Sequence, residues 1–131
     1  MIVLDASAVV ELLLNTDRGV LVAECVRPDD VTLHAPQLLP LEVVQVLRRL
    51  TSSGSISARR GRTVLDDLGE LGVEYYDHDV LVPRLWQLRS NLTAYDAAYV
   101  ALAEALAAPL LTFDERLANA PGNRAHVELL A

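Results

Sequence analysis

Two kinds of hydrophobic pattern alternate along this chain. Short runs of consecutive apolar residues predict strands buried on both faces, as in parallel sheets. Longer segments, in which apolar residues recur every three or four positions, predict amphipathic helices. The strands are predicted at Ile2–Leu4, Val31–His34, Val73–Asp77, Pro109–Thr112 and His126–Leu130. The alternation predicts an α/β fold, one domain over residues 1–131 with a central, mostly parallel sheet flanked by helices.

Capping and stop residues set the bounds of the predicted helices. Ser7 is a candidate N-cap of the first helix, and Gly72 is a candidate stop for the fourth. The helices are predicted to run from Ser7 to Asn15, Asp17 to Arg27, Leu38 to Leu50, Ser55 or Ser57 to Gly72, Val80 to Arg89, Ala94 to Ala107, and Asp114 to Asn119. Each strand but the last therefore precedes a helix, as the crossovers of a parallel sheet require.

The composition is that of a packed globular domain with an acidic charge. Of the 131 residues, 52% are hydrophobic, and 11 arginines stand against 18 acids, which gives a net charge of −7. This balance disfavours binding of nucleic acid by charge alone. The single cysteine, Cys25, excludes an internal disulfide and suits a reducing cytoplasm. The first residues lack the basic start of a secretory signal, and Asp96 and Glu104 interrupt the longest apolar tract. We therefore expect a cytoplasmic protein without a membrane span.

Four isolated carboxylates stand in strongly apolar surroundings. Asp5 closes the first predicted strand, Asp114 follows the fourth, and Glu42 and Asp96 interrupt apolar helices. Because ligands of parallel sheets bind beyond the carboxyl ends of the strands, Asp5 and Asp114 are expected at that edge. Each acid also has a local alternative. Asp5 could cap a helix, Asp96 could form a capping box with Thr93, Glu42 could lie in a solvated stripe, and Asp114 could be an acid at a helix start.

If the four carboxylates meet, they need a cation. Two carboxylates about 4 Å apart repel by roughly 4 kcal/mol at an effective dielectric near 20. A site made only of carboxylate oxygens suits Mg²⁺ or Mn²⁺, which act chiefly on phosphates and can promote phosphodiester hydrolysis. Ser7 and Thr112, each two residues from a proposed ligand, are candidate supporting hydroxyls. The three histidines form no pair at ligand spacing and are expected to have surface or core roles.

Other phosphate chemistries lack their residues in this chain. A P-loop and a response-regulator receiver both need a lysine, and the chain has none. The segment Asp5–Ala8 stands where a dinucleotide-binding fold has its glycine-rich turn. Ser7 stands where a haloacid-dehalogenase-like phosphatase has its second aspartate. Metal-dependent phosphodiester hydrolysis is therefore the leading enzymatic hypothesis.

Four segments together match the motifs of one known family. They are Met1–Ala8 (MIVLDASA), Pro40–Arg48 (PLEVVQVLR), Leu92–Glu104 (LTAYDAAYVALAE) and Pro109–Asp114 (PLLTFD). In order and spacing they resemble the PIN domain, most closely its VapC-type toxins of bacterial toxin–antitoxin pairs. The resemblance spans nearly the whole chain and implies a PIN-like three-layer fold. Gln45 departs from it, since many relatives have Asn at this position.

The resemblance also implies a function and a set of partners. It implies an acidic quartet that binds Mg²⁺ or Mn²⁺, formed by Asp5, Glu42, Asp96 and Asp114, with Ser7 and Thr112 beside it. It implies an endoribonuclease that cuts structured RNA such as transfer or ribosomal RNA. It further implies a homodimer, inhibited by a VapB-type antitoxin whose C-terminal segment lies across the active site. Two alternatives remain open: a non-catalytic PIN-like protein-binding module, and a metal-dependent phosphoesterase that acts on DNA or a small phosphate ester.

An arginine-rich segment and a few aromatic residues complete the set of candidates. Residues 48–62 contain five arginines and no acid, so the other 116 residues carry six arginines against 18 acids. The five are candidate contacts for the RNA backbone, with a solvated face or pairing with a partner's acids as the alternatives: Arg48, Arg49, Arg59, Arg60 and Arg62. Tyr95 and Tyr99 are expected to be packing residues, with base stacking as the alternative. Trp86 is expected in the core or in an interface, and Arg89 is a candidate partner for a carboxylate.

Overall fold

The computed structural model describes the whole chain, Met1–Ala131, as one five-stranded sheet flanked by seven α-helices. The strands are β1 (Ile2–Leu4), β2 (Leu33–Pro36), β3 (Glu74–Tyr76), β4 (Leu110–Thr112) and β5 (Val127–Leu129). The helices are α1 (Ala6–Leu13), α2 (Asp17–Val26), α3 (Leu39–Ser52), α4 (Ala58–Glu70), α5 (Val82–Gln87), α6 (Ala94–Leu106) and α7 (Glu115–Ala118). A 3₁₀ turn, Asp79–Leu81, precedes α5. The predicted α/β fold is confirmed.

The strand order predicts a ligand-binding cleft at one edge of the sheet. The order is β3-β2-β1-β4-β5, and every pairing is parallel. After β1 the chain adds β2 and β3 on one side, and it then crosses back to place β4 and β5 on the other. The order therefore reverses between β1 and β4, and clefts form at the carboxyl ends of strands at such a reversal. Asp5 follows β1, and Asp114 lies two residues after β4.

Helix α6 lies at the centre of the hydrophobic core. Every residue from Ala97 to Ala103 is buried, because this helix contacts β1, β2 and β4 as well as α5. Four of these seven residues are alanines, whose small side chains allow helix and strands to approach closely. The apolar tract that ends at Phe113 is thus a core helix followed by strand β4. No helix of the structure combines the length and the apolar character needed to cross a membrane.

Several element boundaries differ from the prediction, and three of the differences have a clear physical reason. Strand β2 begins two residues later than predicted, because the parallel register pairs Ile2 with Leu33 and extends β2 to meet β3. The helix predicted at residues 80–89 is α-helical only over residues 82–87, where Pro83 lies in the first turn and needs no N–H partner. The first helix is capped by Asp5 rather than by Ser7. Asp5 has the extended backbone of an N-cap, and its carboxylate accepts the N–H of Ala8.

Candidate active site

Four acids from distant parts of the chain lie around the carboxyl edge of the sheet. Asp5 follows β1, Glu42 lies in the first turn of α3, Asp96 lies in the first turn of α6, and Asp114 caps α7. Burial raises the pKa of Asp5, Glu42 and Asp96, and neighbouring charges within the quartet raise them further. The charge of Asp96 acts on Asp5 and Glu42, and that of Asp114 acts on Asp96. The fold therefore brings the four acids close enough for the charge of one to act on the next.

Asp5 is the most buried and the most fully hydrogen-bonded member of the quartet. Its side chain is only 6% exposed. Oδ1 accepts the Ser7 hydroxyl at 2.6 Å and the Ala8 N–H at 3.0 Å, and Oδ2 accepts the Thr112 hydroxyl. Burial raises the pKa of Asp5, and these three donors oppose the rise because they stabilise the carboxylate form. Asp5 is thus a helix cap and also the fixed centre of the acidic group.

The hydroxyls of Ser7 and Thr112 connect Asp5 to the segment that carries Asp114. Ser7 Oγ accepts the N–H of Phe113 at 3.1 Å while it donates to Asp5. Thr112 Oγ1 accepts the N–H of Asp114 at 2.9 Å while it also donates to Asp5. Each hydroxyl therefore donates one hydrogen bond and accepts another within the site. They fix the spacing between the end of β1 and the end of β4.

Tyr99 holds Glu42 in place and is a site residue that the sequence did not reveal. Its hydroxyl donates to Glu42 Oε1 at 2.7 Å, and its side chain is only 1% exposed. Burial and the neighbouring carboxylates raise the pKa of Tyr99, so its hydroxyl remains a donor. Its prediction as a packing residue is confirmed, but the polar contact was missed. The spacing of Asp96 and Tyr99, three residues apart on one helix face, was the available signal.

Arg116 is a second residue of the acidic site that the sequence did not reveal. Its guanidinium lies 3.6 Å from Asp114 Oδ2, and its side chain is almost fully exposed. Its charge opposes the rise in the pKa of Asp96. Asp114 Oδ1 also accepts the N–H of Arg116 at 2.9 Å, as an N-cap does. An exposed cation therefore lies at the rim of the acidic group.

The chemistry of the donors fits a hard divalent cation. Carboxylates and hydroxyls make up the site, and Mg²⁺ and Mn²⁺ prefer such oxygen ligands. No three of the chain's Asp, Glu, His and Cys side chains stand close enough together to hold an ion without moving. Glu42 and Asp96 are only half-buried, in contrast to Asp5. Binding an ion would therefore require the carboxylates to move closer together.

The five arginines of residues 48–62 lie on α3 and α4. Two of them already have partners within the chain. Arg60 donates to the carbonyl of Leu13 at 3.2 Å, and Arg62 forms an exposed ion pair with Asp66 at 3.3 Å. The other three are exposed and make no ion pair within the chain: Arg48, Arg49 and Arg59. The predicted RNA-binding role of the cluster stays a prediction.

The structure contradicts the packing role predicted for Tyr95 and the ion pair predicted for Arg89, and it excludes Trp86 from the core. Trp86 is 68% exposed and so is not in the core, while a role in an interface stays a prediction. Tyr95 is 66% exposed and does not pack into the chain, because it lies on the outer face of the first turn of α6. Arg89 makes no ion pair. Its guanidinium lies 4.4 Å from the centre of the Trp86 ring and donates to the Trp86 carbonyl.

The histidines have structural roles, as predicted. His34 is buried in β2, where its ring nitrogens bond to the hydroxyls of Thr32 and Tyr76. His78 accepts the N–H of Leu38 at 3.2 Å, and His126 is largely exposed. None of them lies within the acidic group described above.

Comparison with known proteins identifies the class of this fold and site. The sequence profile described as "PIN domain" matches residues 2–123, so the chain belongs to the PIN domain family. Within it, the chain is of the VapC type. It is 44% identical to "Ribonuclease VapC12" of Mycobacterium tuberculosis over 131 residues, which is all of both chains. It is also 43% identical to "Ribonuclease VapC1" of the same species, over 98% of this chain and 96% of the relative.

Solved structures share the fold at low sequence identity. The VapBC2 complex of Rickettsia felis, solved with a DNA fragment from its promoter, contains a chain that matches with a TM-score of 0.71 and 17% identity over all of both chains. Mycobacterium tuberculosis VapC20, described as a sarcin–ricin loop cleaving toxin, matches with a TM-score of 0.68 and 13% identity. That match covers 90% of this chain and 93% of VapC20. At such identities these matches establish the fold alone.

Proposed function

We propose that the chain is an endoribonuclease and the toxin of a VapBC-type toxin–antitoxin pair. It hydrolyses phosphodiester bonds of structured RNA, such as transfer or ribosomal RNA, with Mg²⁺ or Mn²⁺ bound by Asp5, Glu42, Asp96 and Asp114. The observation that carries the proposal is that these acids come from four separate segments to one edge of the sheet, where burial and the neighbouring carboxylates raise the pKa of Asp5, Glu42 and Asp96. The ribonuclease names of relatives more than 40% identical to the chain support it.

Each residue of the site has a defined part in this proposal. The bound cation would lower the pKa of a water molecule and neutralise charge on the phosphate. Asp5 is held rigidly by its three donors and serves as the fixed ligand. Tyr99 orients Glu42, and the hydroxyls of Ser7 and Thr112 keep the segment of Asp114 in register with Asp5. Such supporting contacts typically change metal affinity or activity by about 10- to 100-fold.

The electrostatics of the chain suit a substrate that binds only with the cation. Without it, the acidic group repels phosphate, and with it the ion is the largest local charge. The exposed arginines on α3 and α4 supply the charge for longer contacts with the RNA backbone. We assign that role to Arg48, Arg49 and Arg59 first, because Arg60 and Arg62 already have partners within the chain. We also propose that the protein acts on this RNA in the cytoplasm.

Two protein partners belong to the proposal. A VapB-type antitoxin would inhibit the enzyme, because the metal-free acidic group can accept a guanidinium in bidentate fashion. A second copy of the chain would form a homodimer. Leu41 and Val80 are 75% and 82% exposed, and the hydrogen bond between Leu38 and His78 brings their segments together. Exposed apolar side chains on neighbouring segments are typical of a protein interface.

A cleavage assay tests the enzymatic proposal directly. The chain is incubated with transfer and ribosomal RNA in Mg²⁺, in Mn²⁺ and in a chelator, and the RNA ends are mapped. Cleavage is expected only with a divalent ion. Asp96→Asn is expected to abolish it, whereas Asp67→Asn, an exposed acid on α4, serves as the matched control and keeps the wild-type rate. A folded Asp96→Asn variant with full activity contradicts the proposal.

The same assay separates the alternative functions. Single-stranded DNA and a small phosphodiester are tested as substrates in parallel with the RNA. Cleavage of either one without cleavage of RNA would establish a different phosphoesterase. Intact substrates throughout, together with a thermal midpoint that does not respond to Mn²⁺, would establish a non-catalytic binding module.

A further inference from the structure

Arg116 is the only basic residue that forms an ion pair with any of the four acids of the site. Its guanidinium lies 3.6 Å from Asp114 Oδ2, and its backbone N–H donates to Asp114 Oδ1 at 2.9 Å. The bond that caps α7 is thus made by the backbone, and the side chain is not needed for it. The side chain is 91% exposed, so it has room to turn from Asp114 to a ligand.

The hydrogen-bond donors of the Arg116 guanidinium are unused. Its distance of 3.6 Å from Asp114 exceeds the range of about 2.7–3.2 Å for an N–H···O bond, so charge alone holds the pair together. The hydrogen bond that Arg116 makes to Asp114 comes from the backbone N–H, which leaves the guanidinium donors free. Exposed ion pairs are weak, because water competes for both charges. Arg116 can therefore exchange Asp114 for another anion.

The charge of Arg116 acts on the acidic group beyond its own partner. Burial and the charge of Asp114 raise the pKa of Asp96, and the charge of Arg116 opposes this rise. Asp96 lies in the first turn of α6, whereas Asp114 caps α7, so the two acids come from different elements. A cation that acts on both lies beside the acidic group, where a phosphate has to approach a bound ion.

A second arginine reaches the same segment, but contacts of its own hold it in place. The guanidinium of Arg18 lies over the Phe113 ring, 4.1 Å from the ring centre. It also lies 3.6 Å from Glu11 Oε1, and its side chain is only 50% exposed. Arg18 thus joins α2 to the segment that follows β4. Arg116 is the guanidinium that remains available beside the four acids.

Hydrolysis of a phosphodiester develops negative charge that carboxylates cannot stabilise. The oxygen of a water molecule bonds to phosphorus and the bond to the leaving ribose oxygen breaks. The water loses a proton, and the leaving oxygen gains one. Charge develops on the non-bridging phosphate oxygens during this step, and cations that are already in place stabilise it. A guanidinium has two parallel N–H donors that match two phosphate oxygens.

We propose that Arg116 is a catalytic residue that binds the non-bridging oxygens of the cleaved phosphate. The proposal rests on the ribonuclease function and adds one residue to its machinery. In the metal-free protein the guanidinium pairs with Asp114. A divalent ion held by the carboxylates would neutralise Asp114 and repel the guanidinium, so the substrate phosphate becomes its partner. Arg116 thus competes with the ion for Asp114 and assists the reaction at the phosphate.

Substitution of Arg116 is expected to change metal binding and catalysis in opposite directions. Arg116→Gln loses a competing cation and is expected to bind Mn²⁺ alone about two- to fivefold more tightly in isothermal titration calorimetry. At saturating Mn²⁺ it is expected to cleave RNA about 100-fold more slowly, with little change in KM. Arg116→Lys keeps the charge without the paired donors and is expected to recover only part of the rate. Arg27→Gln, an exposed arginine at the end of α2, is the matched control and is expected to keep both wild-type values.

The outcomes separate failure of the role of Arg116 from failure of the ribonuclease function. Cleavage by Arg116→Gln at the wild-type rate overturns the role of Arg116 and leaves the ribonuclease function standing. A loss of rate that additional Mn²⁺ restores in full assigns the residue to the metal site alone, and a raised KM with the wild-type kcat assigns it to RNA binding; both overturn the proposal. A wild-type chain that cuts no RNA contradicts the ribonuclease function, and the role of Arg116 with it.

Discussion

At the scale of single residues, the same side chains stabilise the fold and shape the site. Asp5 caps α1 and is also the buried centre of the acidic group. Thr112 ends β4, and its hydroxyl bonds both to the Asp5 carboxylate and to the N–H of Asp114. Substitutions of such residues therefore change stability and activity together. Tyr99 is different, because removal of its hydroxyl leaves the buried ring in place.

Tyr99→Phe is expected to reduce activity much more than stability. The lost hydroxyl leaves Glu42 without its donor, and we expect about a 10-fold weaker activation by Mn²⁺. The free energy of unfolding is expected to fall by only about 1 kcal/mol. Cleavage rates over a range of Mn²⁺ concentrations and urea unfolding measure the two effects.

The matched control for Tyr99→Phe is Tyr76→Phe. This change removes a hydroxyl that bonds to His34 in the sheet and touches none of the four acids. It is expected to lose a similar amount of stability and to keep the wild-type response to Mn²⁺. Equal responses of the two variants to Mn²⁺ would show that Tyr99 does not position Glu42.

At the scale of secondary-structure elements, close contacts and ion pairs fix how the helices pack. Helices α1 and α2 cross so tightly at Gly19 that an added Cβ would lie 2.1 Å from the carbonyl oxygen of Glu11. Elsewhere in the fold, Arg84 of α5 donates two hydrogen bonds to Glu104 of α6, at 2.7 and 2.9 Å. Arg84 also donates to the carbonyl of Gly122, so one guanidinium joins two helices and the loop before β5.

Gly19→Ala is expected to destabilise the protein because the clash is with backbone. Neither the Glu11 carbonyl nor the new methyl can rotate away, so the helices must separate. We expect a loss of about 1–3 kcal/mol or more in urea unfolding. Gly69→Ala, in α4 with open space around the glycine, is the matched control and is expected to gain about 0.5–1 kcal/mol. A stabilising Gly19→Ala would show that the two helices are not packed as described.

Glu104→Gln is expected to weaken the attachment of α5 and the final loop. Burial opposes ionisation of Glu104, but the hydrogen bonds from Arg84 and from the N–H of Arg124 outweigh it and lower its pKa. A group with a lowered pKa stabilises the fold above its unfolded value and loses that contribution as the pH falls. We therefore expect a loss of about 1–3 kcal/mol at pH 7 that shrinks below about pH 4.

Urea unfolding of the wild type and of Glu104→Gln, at pH 7 and at about pH 3, measures how the loss of stability depends on pH. Asp66→Asn is the matched control, since it breaks the exposed pair between Arg62 and Asp66 on one helix. That change is expected to cost no more than about 0.5 kcal/mol. A cost for Glu104→Gln that is the same at pH 7 and at about pH 3 would contradict the role of its charge.

At the scale of the whole molecule, the sheet topology gathers negative charge that local structure alone would keep apart. Burial and mutual repulsion raise the pKa of Asp5, Glu42 and Asp96. A group whose pKa is raised by folding contributes stability below its unfolded pKa and loses it as the pH rises through the folded value. The ionised carboxylates therefore destabilise the metal-free protein at neutral pH. A bound divalent cation would offset this loss of stability.

Asp96→Asn is expected to stabilise the metal-free protein at pH 7. It removes one buried charge that repels its neighbours, and the gain is expected to shrink towards pH 4, where the wild-type carboxyl binds a proton. Mn²⁺ is expected to raise the thermal midpoint of the wild-type protein at pH 7 and to raise that of Asp96→Asn much less. Differential scanning fluorimetry with and without Mn²⁺ measures both effects. Asp67→Asn, an exposed acid, is expected to respond to Mn²⁺ like the wild type.

Sequence reasoning succeeded where a local pattern carries the information. The apolar run of β1, the periodicity of α3 and α4, and the capping residues Ser57 and Thr93 are each readable within a few residues. It failed where the answer depends on distant segments. The exposure of Trp86 follows from which face of the short helix α5 meets α6, and the six residues of α5 are too few to define that face by periodicity.

The sequence by itself determined the class of fold and predicted the four acids as candidate site residues, because strand and helix periods and motif order are properties of neighbouring residues. Only the tertiary structure decided how those acids are supported and what surrounds them. The bond from Tyr99 to Glu42 joins residues 57 positions apart, and the bond from Thr112 to Asp5 joins residues 107 apart. Such contacts arise because the chain crosses back after β3 and places β4 beside β1. No local pattern encodes the distance between side chains that meet only after the sheet has formed.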